Sequence, residues 1–283
     1  MKSKKKRVRE ITDYIKFVFP MLILYILFFI LPLFQTIGYS FTDYNGINPK
    51  KEFTGLTNYF DVFQDKWFYN SMAFTGKSVL LMILLANVLG FLLALALNTK
   101  IRSRNILRAI VFCPFVFNNV TVGFIWQFLL GRFMTDLYPL TGWKVFNIGW
   151  LSDNSLVLYS VVFVKLWQSI GYFMVIYLAG LQLLPQDPLE AAVIDGCTGI
   201  KMIRYITIPL MKPTAFVCIF LAITESLNMF PLIMSLTNGG PGHASENISL
   251  YIYNEAFKSH RMGYASALAV ILTIIMTIIA GLQ

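Results

Sequence analysis

Six apolar stretches, each about as long as a bilayer is thick, constrain this chain more than any other feature. They fall near 17–39, 78–97, 109–130, 156–183, 214–236 and 264–282. At about 1.5 Å of rise per residue, each crosses a hydrocarbon layer of about 30 Å as a helix. The expected fold class is therefore all-α integral membrane, with six transmembrane helices in one polytopic unit. The composition agrees: 57% of residues are hydrophobic and 13% charged, unlike a soluble domain. Pro20 and Pro32 in the first stretch predict a kink or an unwound turn there.

The net charge of +9 invites a nucleic-acid reading, but the basic residues lie at the ends of apolar spans rather than in one patch. The start, Lys2 to Arg9, resembles the basic region of a signal peptide, yet no small-residue cleavage site follows. Residues 1–15 are read as a basic cytoplasmic tail, followed by a single transmembrane domain over 16–283. The tail and the connections after the second and fourth spans hold thirteen Lys and Arg, including Lys100, Arg102, Arg104, Arg108, Lys201, Arg204 and Lys212. The opposite side holds eight over longer loops. This bias places both termini and the 185–213 loop in the cytoplasm, with the chain multi-pass in the cell membrane.

Polar side chains inside spans are costly and face a cavity or another helix. In the fourth span Lys165, Gln168, Ser169 and Tyr172 recur at i, i+3, i+4 and i+7, one polar stripe flanked by Trp167 and Phe173. The fifth span carries Thr224, Glu225, Ser226 and Asn228 at a matching depth. Such groups suit a polyol, whose hydroxyls need donors and acceptors and whose C–H faces stack on aromatics. The expected substrate-binding set is Trp167, Gln168, Ser169, Tyr172, Phe173, Glu225 and Asn228. The same groups can instead hold helices together, and Lys165 can neutralise Glu225. Asn118, Asn119 and Gln127 read as such glue. Cys113, Cys197 and Cys218 lack metal-ligand spacing and read as free, buried fillers. Gly76-Lys77-Ser78 ends like a phosphate-binding loop, but Ser71 replaces the required earlier glycine.

Between the fourth and fifth spans lies a polar loop, 185–213. Asp187 reads as the N-cap of a short helix, with Glu190 in its first turn. Leu189, Ala192 and Val193 form a low apolar ridge, and Gly196 lets the chain turn away. The run Glu190-Ala-Ala-Val-Ile-Asp195-Gly196, followed by Ile208-Pro209-Leu210 and Pro213, resembles the EAA signature of permease subunits in binding-protein-dependent ABC importers. Cys197 departs from the pattern's small Ala. Thr237-Asn-Gly-Gly-Pro241 and the Arg108, Phe112, Pro114 spacing also resemble carbohydrate-type permeases, such as the larger membrane subunit of maltose systems.

The resemblance implies a type I ABC-importer permease fold with a cytoplasmic coupling helix. Glu190, Ala191, Ala192, Asp195 and Gly196 would dock on an ATPase. It also implies the partners: a second homologous permease, two ATPase subunits that bind the ATP and Mg, an extracytoplasmic sugar-binding protein, membrane lipid and a sugar. No catalytic residue, cofactor or metal is expected in this chain, and no nucleic acid. A glycerol phosphate permease is the alternative, though it would call for Lys or Arg in the lumen, where Lys165 alone qualifies. An intramembrane enzyme would need a catalytic set, and His243 and His260 both fall in an outer loop. An ATP-independent carrier would not need the docking loop.

Overall fold

The computed structural model describes residues 16, 18–99 and 102–282; the basic tail and Lys100 lie outside them. Among the described residues the structure is helical, with one isolated antiparallel bridge, Thr42 to Phe53. Four helices are long and apolar enough to cross a membrane, or six when each of two bent pairs counts as one span. The chain divides into two compact units, 1–65 with 252–283, and 66–251.

The first unit contains α1 (Val18–Tyr39), α2 (Thr57–Gln64) and, at the far end of the chain, α13 (Met262–Leu282). Pro32 neither ends nor unwinds α1. A π-turn at Ile26–Ile30 precedes it, and the Leu31 amide bonds back to Ile26, absorbing the hydrogen bond that proline cannot make. The apolar window of α1 has no residue buried inside the chain, as suits a helix facing lipid or a partner. Residues 40–59 form a compact loop. Asn58 Nδ2 donates to the Ser40 and Thr42 carbonyls at 2.9 and 2.8 Å, and the Lys51 ammonium sits 4.2 Å above the Tyr39 ring. Gly263 opens α13 where its amide reaches the Tyr44 carbonyl at 2.7 Å.

The second unit is built on α3 (Lys66–Leu97) packed along α7 (Val157–Gln182). At 32 residues, α3 begins well before the expected 78–97 stretch. Asn70, Ser71, Thr75 and Lys77 lower its hydropathy without breaking the helix. Gly76-Lys77-Ser78 sits inside this helix and forms no phosphate loop. Lipid tails are as apolar as the helices themselves, so close approach rather than water exclusion holds such a pair. Gly90 on α3 shows this directly: an added Cβ there would overlap the Phe173 side chain on α7.

The expected third span is not one helix. α4 (Arg104–Phe112) runs into a 3-10 turn at Cys113–Val116, and Phe117 and Asn118 are extended. A new helix, α5 (Asn119–Gln127), then starts under the Asn118 side chain, which accepts from the Val120 amide at 2.9 Å. The two arms meet at 93°. A π-turn, Phe128–Phe133, leads to α6 (Met134–Thr141), ended by Gly142 at φ 68°. Beyond α7 come α8 (Gln186–Ile194) and α9 (Ile200–Leu210), which meets α10 (Lys212–Leu227) at 71°. The expected fifth span also breaks, at Asn228, and resumes as α11 (Phe230–Leu236), with Pro231 in its first turn. The short α12 (Ile248–Tyr253) closes the unit and enters the first. Cys218 is buried as expected, but Cys113 is exposed and Cys197 half-buried.

Candidate functional site

Two polar constellations stand out in the second unit: the stripe on α7 and the loop helix α8. On the stripe, Lys165 is 2% exposed, and its Nζ lies 2.6 Å from Glu225 Oε2 on α10. Asn119 Oδ1, at the start of α5, is 3.5 Å from the same Nζ. Glu225 keeps 28% of its side chain accessible, so this pair closes one side of the stripe and shows its other end to solvent or lumen. Burying a lone ammonium would cost several kcal/mol; the carboxylate and the amide oxygen offset that. Lys165 therefore neutralises Glu225 rather than offering a free cation.

The rest of the stripe is more enclosed than the sequence suggested. Gln168 Nε2 donates to the Phe117 carbonyl at 2.9 Å, satisfying the extended residue at the bend. Its Oε1 is buried without a hydrogen-bond partner among the described residues. Ser169 Oγ bonds back to the Lys165 carbonyl at 2.8 Å and is fully buried. Phe173 is fully buried too and lies against Gly90. That corrects its expected place as a surface for stacking a sugar. Tyr172 is half-buried and stacks on Phe115, centroids 4.5 Å apart and planes 2° apart. Trp167 is 37% exposed and meets Trp126 edge-on. Asn228 is exposed at the break that ends α10. The structure thus brings Lys165, Gln168, Glu225 and Asn119 together, and leaves Trp167, Tyr172, Glu225 and Asn228 with accessible surface. Phe115, Phe117 and Trp126 were not singled out in the sequence; the bend at Pro114 that aims them was its one available signal.

The loop helix has a defined end. Asp195 is its C-cap, and Gly196 follows at φ 75°. The Gly196 amide donates to the Val193 carbonyl at 3.0 Å and the Cys197 amide to the Ala192 carbonyl at 2.8 Å. This is the paired-bond motif that closes helices with a left-handed glycine. The start differs from expectation. Pro185, not Asp187, is the N-cap; Asp187 lies in the first turn and Glu190 beyond it. The ridge also turns the other way. Ala192 is buried and Leu189 half-buried, whereas Val193 and Ile194 are 53% and 85% exposed. The helix rests on the π-turn Ile203–Thr207 through its inner side. Glu190, Ala191, Asp195 and Gly196 are exposed with Ile194.

The family described as binding-protein-dependent transport system inner membrane component matches residues 86–283. A probable starch degradation products transport system permease protein of Thermoanaerobacterium thermosulfurigenes is 35% identical, over 100% of this chain and 96% of its own. A multiple sugar-binding transport system permease protein of Streptococcus mutans is 34% identical, over 93% and 90%. A bacterial ABC transporter involved in importing the acidic polysaccharide alginate contains a chain of like fold. Its TM-score is 0.81 at 21% identity, over 98% of this chain and 95% of that one.

Proposed function

This chain belongs to the binding-protein-dependent transport system inner membrane component family, and from that premise we propose that it is the membrane-spanning permease subunit of an ATP-driven sugar importer. A multi-pass inner-membrane transport subunit is what the family and the apolar helices give. The naming of relatives for starch products and multiple sugars supports the substrate class. In this reading α8 faces the cytoplasm and docks on an ATPase subunit, a homologous permease completes the path, and the binding protein delivers sugar at the far end of α7.

The observation that carries the coupling role is α8 itself. A glycine-locked helix that buries Ala192 inward while exposing Val193 and Ile194 is held by its own chain yet offers apolar surface. Val193 and Ile194 together give a partner subunit a small apolar surface to cover. Closure of the partner would push α8, and the helix seated beneath it, α9, leads directly into α10 and Glu225.

Along the path, Glu225, Asn228 and Tyr172 supply acceptors, donors and a ring face. Lys165, paired with Glu225, is not free for a phosphate, which weighs against the glycerol phosphate alternative. The test is reconstitution with a second permease, ATPase and binding protein in proteoliposomes. ATP-dependent, binding-protein-dependent uptake of a labelled oligosaccharide is expected. Uptake without ATP, or of glycerol phosphate in preference to sugars, would refute the assignment.

A further inference from the structure

A cleft of about 480 Å³ opens at the N-terminal ends of α3 and α7, lined among others by Trp67, Asn70, Lys77, Asn154, Ser155 and Tyr159. It lies at the end of α7 away from α8. The 26 residues of α7, at about 1.5 Å each, put roughly 40 Å between them. We propose that this cleft is a saccharide subsite that receives one or two sugar units of an oligosaccharide before it enters the membrane path. The proposal rests on the sugar-importer reading for its ligand class, and on the cleft for its location.

The walls carry the chemistry of a sugar site. Trp67 is 42% and Tyr159 58% exposed, giving two ring faces for the C–H side of a pyranose. Between them stand two amides, a hydroxyl and an ammonium, which match the mixed donors and acceptors of a polyol. Lys77 makes no ion pair among the described residues, so its three N–H donors can serve neutral hydroxyls or a uronic carboxylate. The volume lies within the range of small-ligand clefts.

The walls are also held in place. The Trp67 ring packs on His243 with centroids 4.4 Å apart, and Asn70 Nδ2 donates to the His243 carbonyl at 2.8 Å. The Ile248 amide bonds to Thr75 Oγ1 at 3.0 Å, tying the start of α12, just after the 237–247 turn, to α3. On the other wall, Asp153 Oδ1 accepts from the Ser155 amide and hydroxyl at 2.7 and 2.6 Å, and Ser160 Oγ donates to the Trp150 carbonyl at 2.7 Å. A prearranged cleft loses less freedom on binding, which favours capture.

The test uses the complete importer in lipid nanodiscs, without its binding protein. It is titrated with maltotriose, raffinose, cellotriose and a trisaccharide of uronic acid, and contacts are read by saturation-transfer difference NMR. At least one trisaccharide is expected to bind through its ring C–H protons. Tyr159→Ala and Trp67→Ala should each weaken that binding about tenfold, as loss of a stacking or hydrogen-bonding partner does, while Trp67→Phe and Tyr159→Phe stay within about threefold. Lys77→Gln should weaken a uronic ligand more than a neutral one. Unchanged binding in the Trp67→Ala/Tyr159→Ala double variant would overturn the proposal, and so would the absence of binding by all four probes. ATP-driven uptake by the same wild-type preparation tests the importer reading separately: retained uptake with no effect of the cleft variants removes the subsite and leaves the importer.

Discussion

The stripe on α7 and the loop helix α8 carry polar residues for opposite reasons. On α7, Lys165, Gln168 and Ser169 are turned inward, and each has a protein partner on α10, at the Phe117–Asn118 bend or one turn back. On α8, Glu190 and Asp195 are exposed, and what is fixed is the backbone, through Gly196. The first region is held by its side chains and resists change. The second is held by its main chain and leaves its outer side chains for something else. A buried polar group inside a span therefore need not mark the surface that a solute touches, whereas apolar side chains left exposed on a short, rigid loop helix are available to a partner.

The comparison breaks first at the ion pair. Glu225→Gln should leave the Lys165 ammonium buried without a counter-charge and cost about 3–5 kcal/mol, read as loss of membrane abundance and of thermal stability in detergent. Lys165→Met should cost less, because the stranded Glu225 keeps 28% of its side chain accessible. The double variant should recover much of the loss. Equal stability of all three proteins would mean the pair is not formed.

At α8 the sensitivity should lie in the backbone. Gly196→Val places a β-branched residue at φ 75°, at a cost of about 1–2 kcal/mol, enough to unseat the helix end without unfolding the spans. Uptake should fall at least tenfold while abundance stays near wild type; Gly196→Asn should be milder, since Asn tolerates this conformation. Wild-type uptake by Gly196→Val would detach the helix end from function.

Ile194→Lys sharpens the contrast further. At 85% exposure the change should alter chain stability by no more than about 0.5 kcal/mol. ATPase co-purification should nonetheless drop, measured by quantitative pull-down. A stability loss with intact co-purification would show that the outer side of α8 is covered by this chain.

The smallest effect is expected at Asp153. Its carboxyl is held below the usual range by the Ser155 hydroxyl, then by the Ser155 amide. A lowered folded-state pKa means a contribution present above the ordinary value of 3.8 and lost only as pH falls through the lowered one. Stability should therefore not vary with pH through this group between about pH 5 and 9, and Asp153→Asn should shift thermal unfolding by the same small amount throughout that window. A clear shift near pH 6 would assign the titration elsewhere.

The long apolar helices were legible because hydropathy reports lipid directly, and the glycine at 196 because only such a residue ends a helix this way. What was not legible depends on breaks. Pro114 and Pro231 were visible, but whether a proline kinks, bends or merely loosens a helix is decided by its neighbours: Pro32 is absorbed by a π-turn, whereas the chain bends at Phe117 and Asn118 beyond Pro114. The early start of α3 was hidden because its polar residues face the unit's interior or cleft, and a hydropathy window averages them away. Which side of α8 turns inward is set by its seat on the Ile203–Thr207 turn, a tertiary contact that residue spacing within the loop does not report. On α7, periodicity gave the stripe and matching depth gave Glu225 as a partner for Lys165, but not Asn119 and Phe117, which reach the stripe from a bend.

The central claim is that the outer side of α8 touches the ATPase. The most direct measurement is site-specific cross-linking in the assembled importer, with Cys113, Cys197 and Cys218 changed to Ser, a single cysteine placed by Ile194→Cys, and a short reagent that is thiol-reactive at one end and photoactivated at the other. The account predicts a permease–ATPase adduct from Ile194→Cys and none from a cysteine placed at the buried Ala192, with Gly196→Val reducing the adduct. An equal yield from both positions, or an adduct only with the second permease, would contradict it.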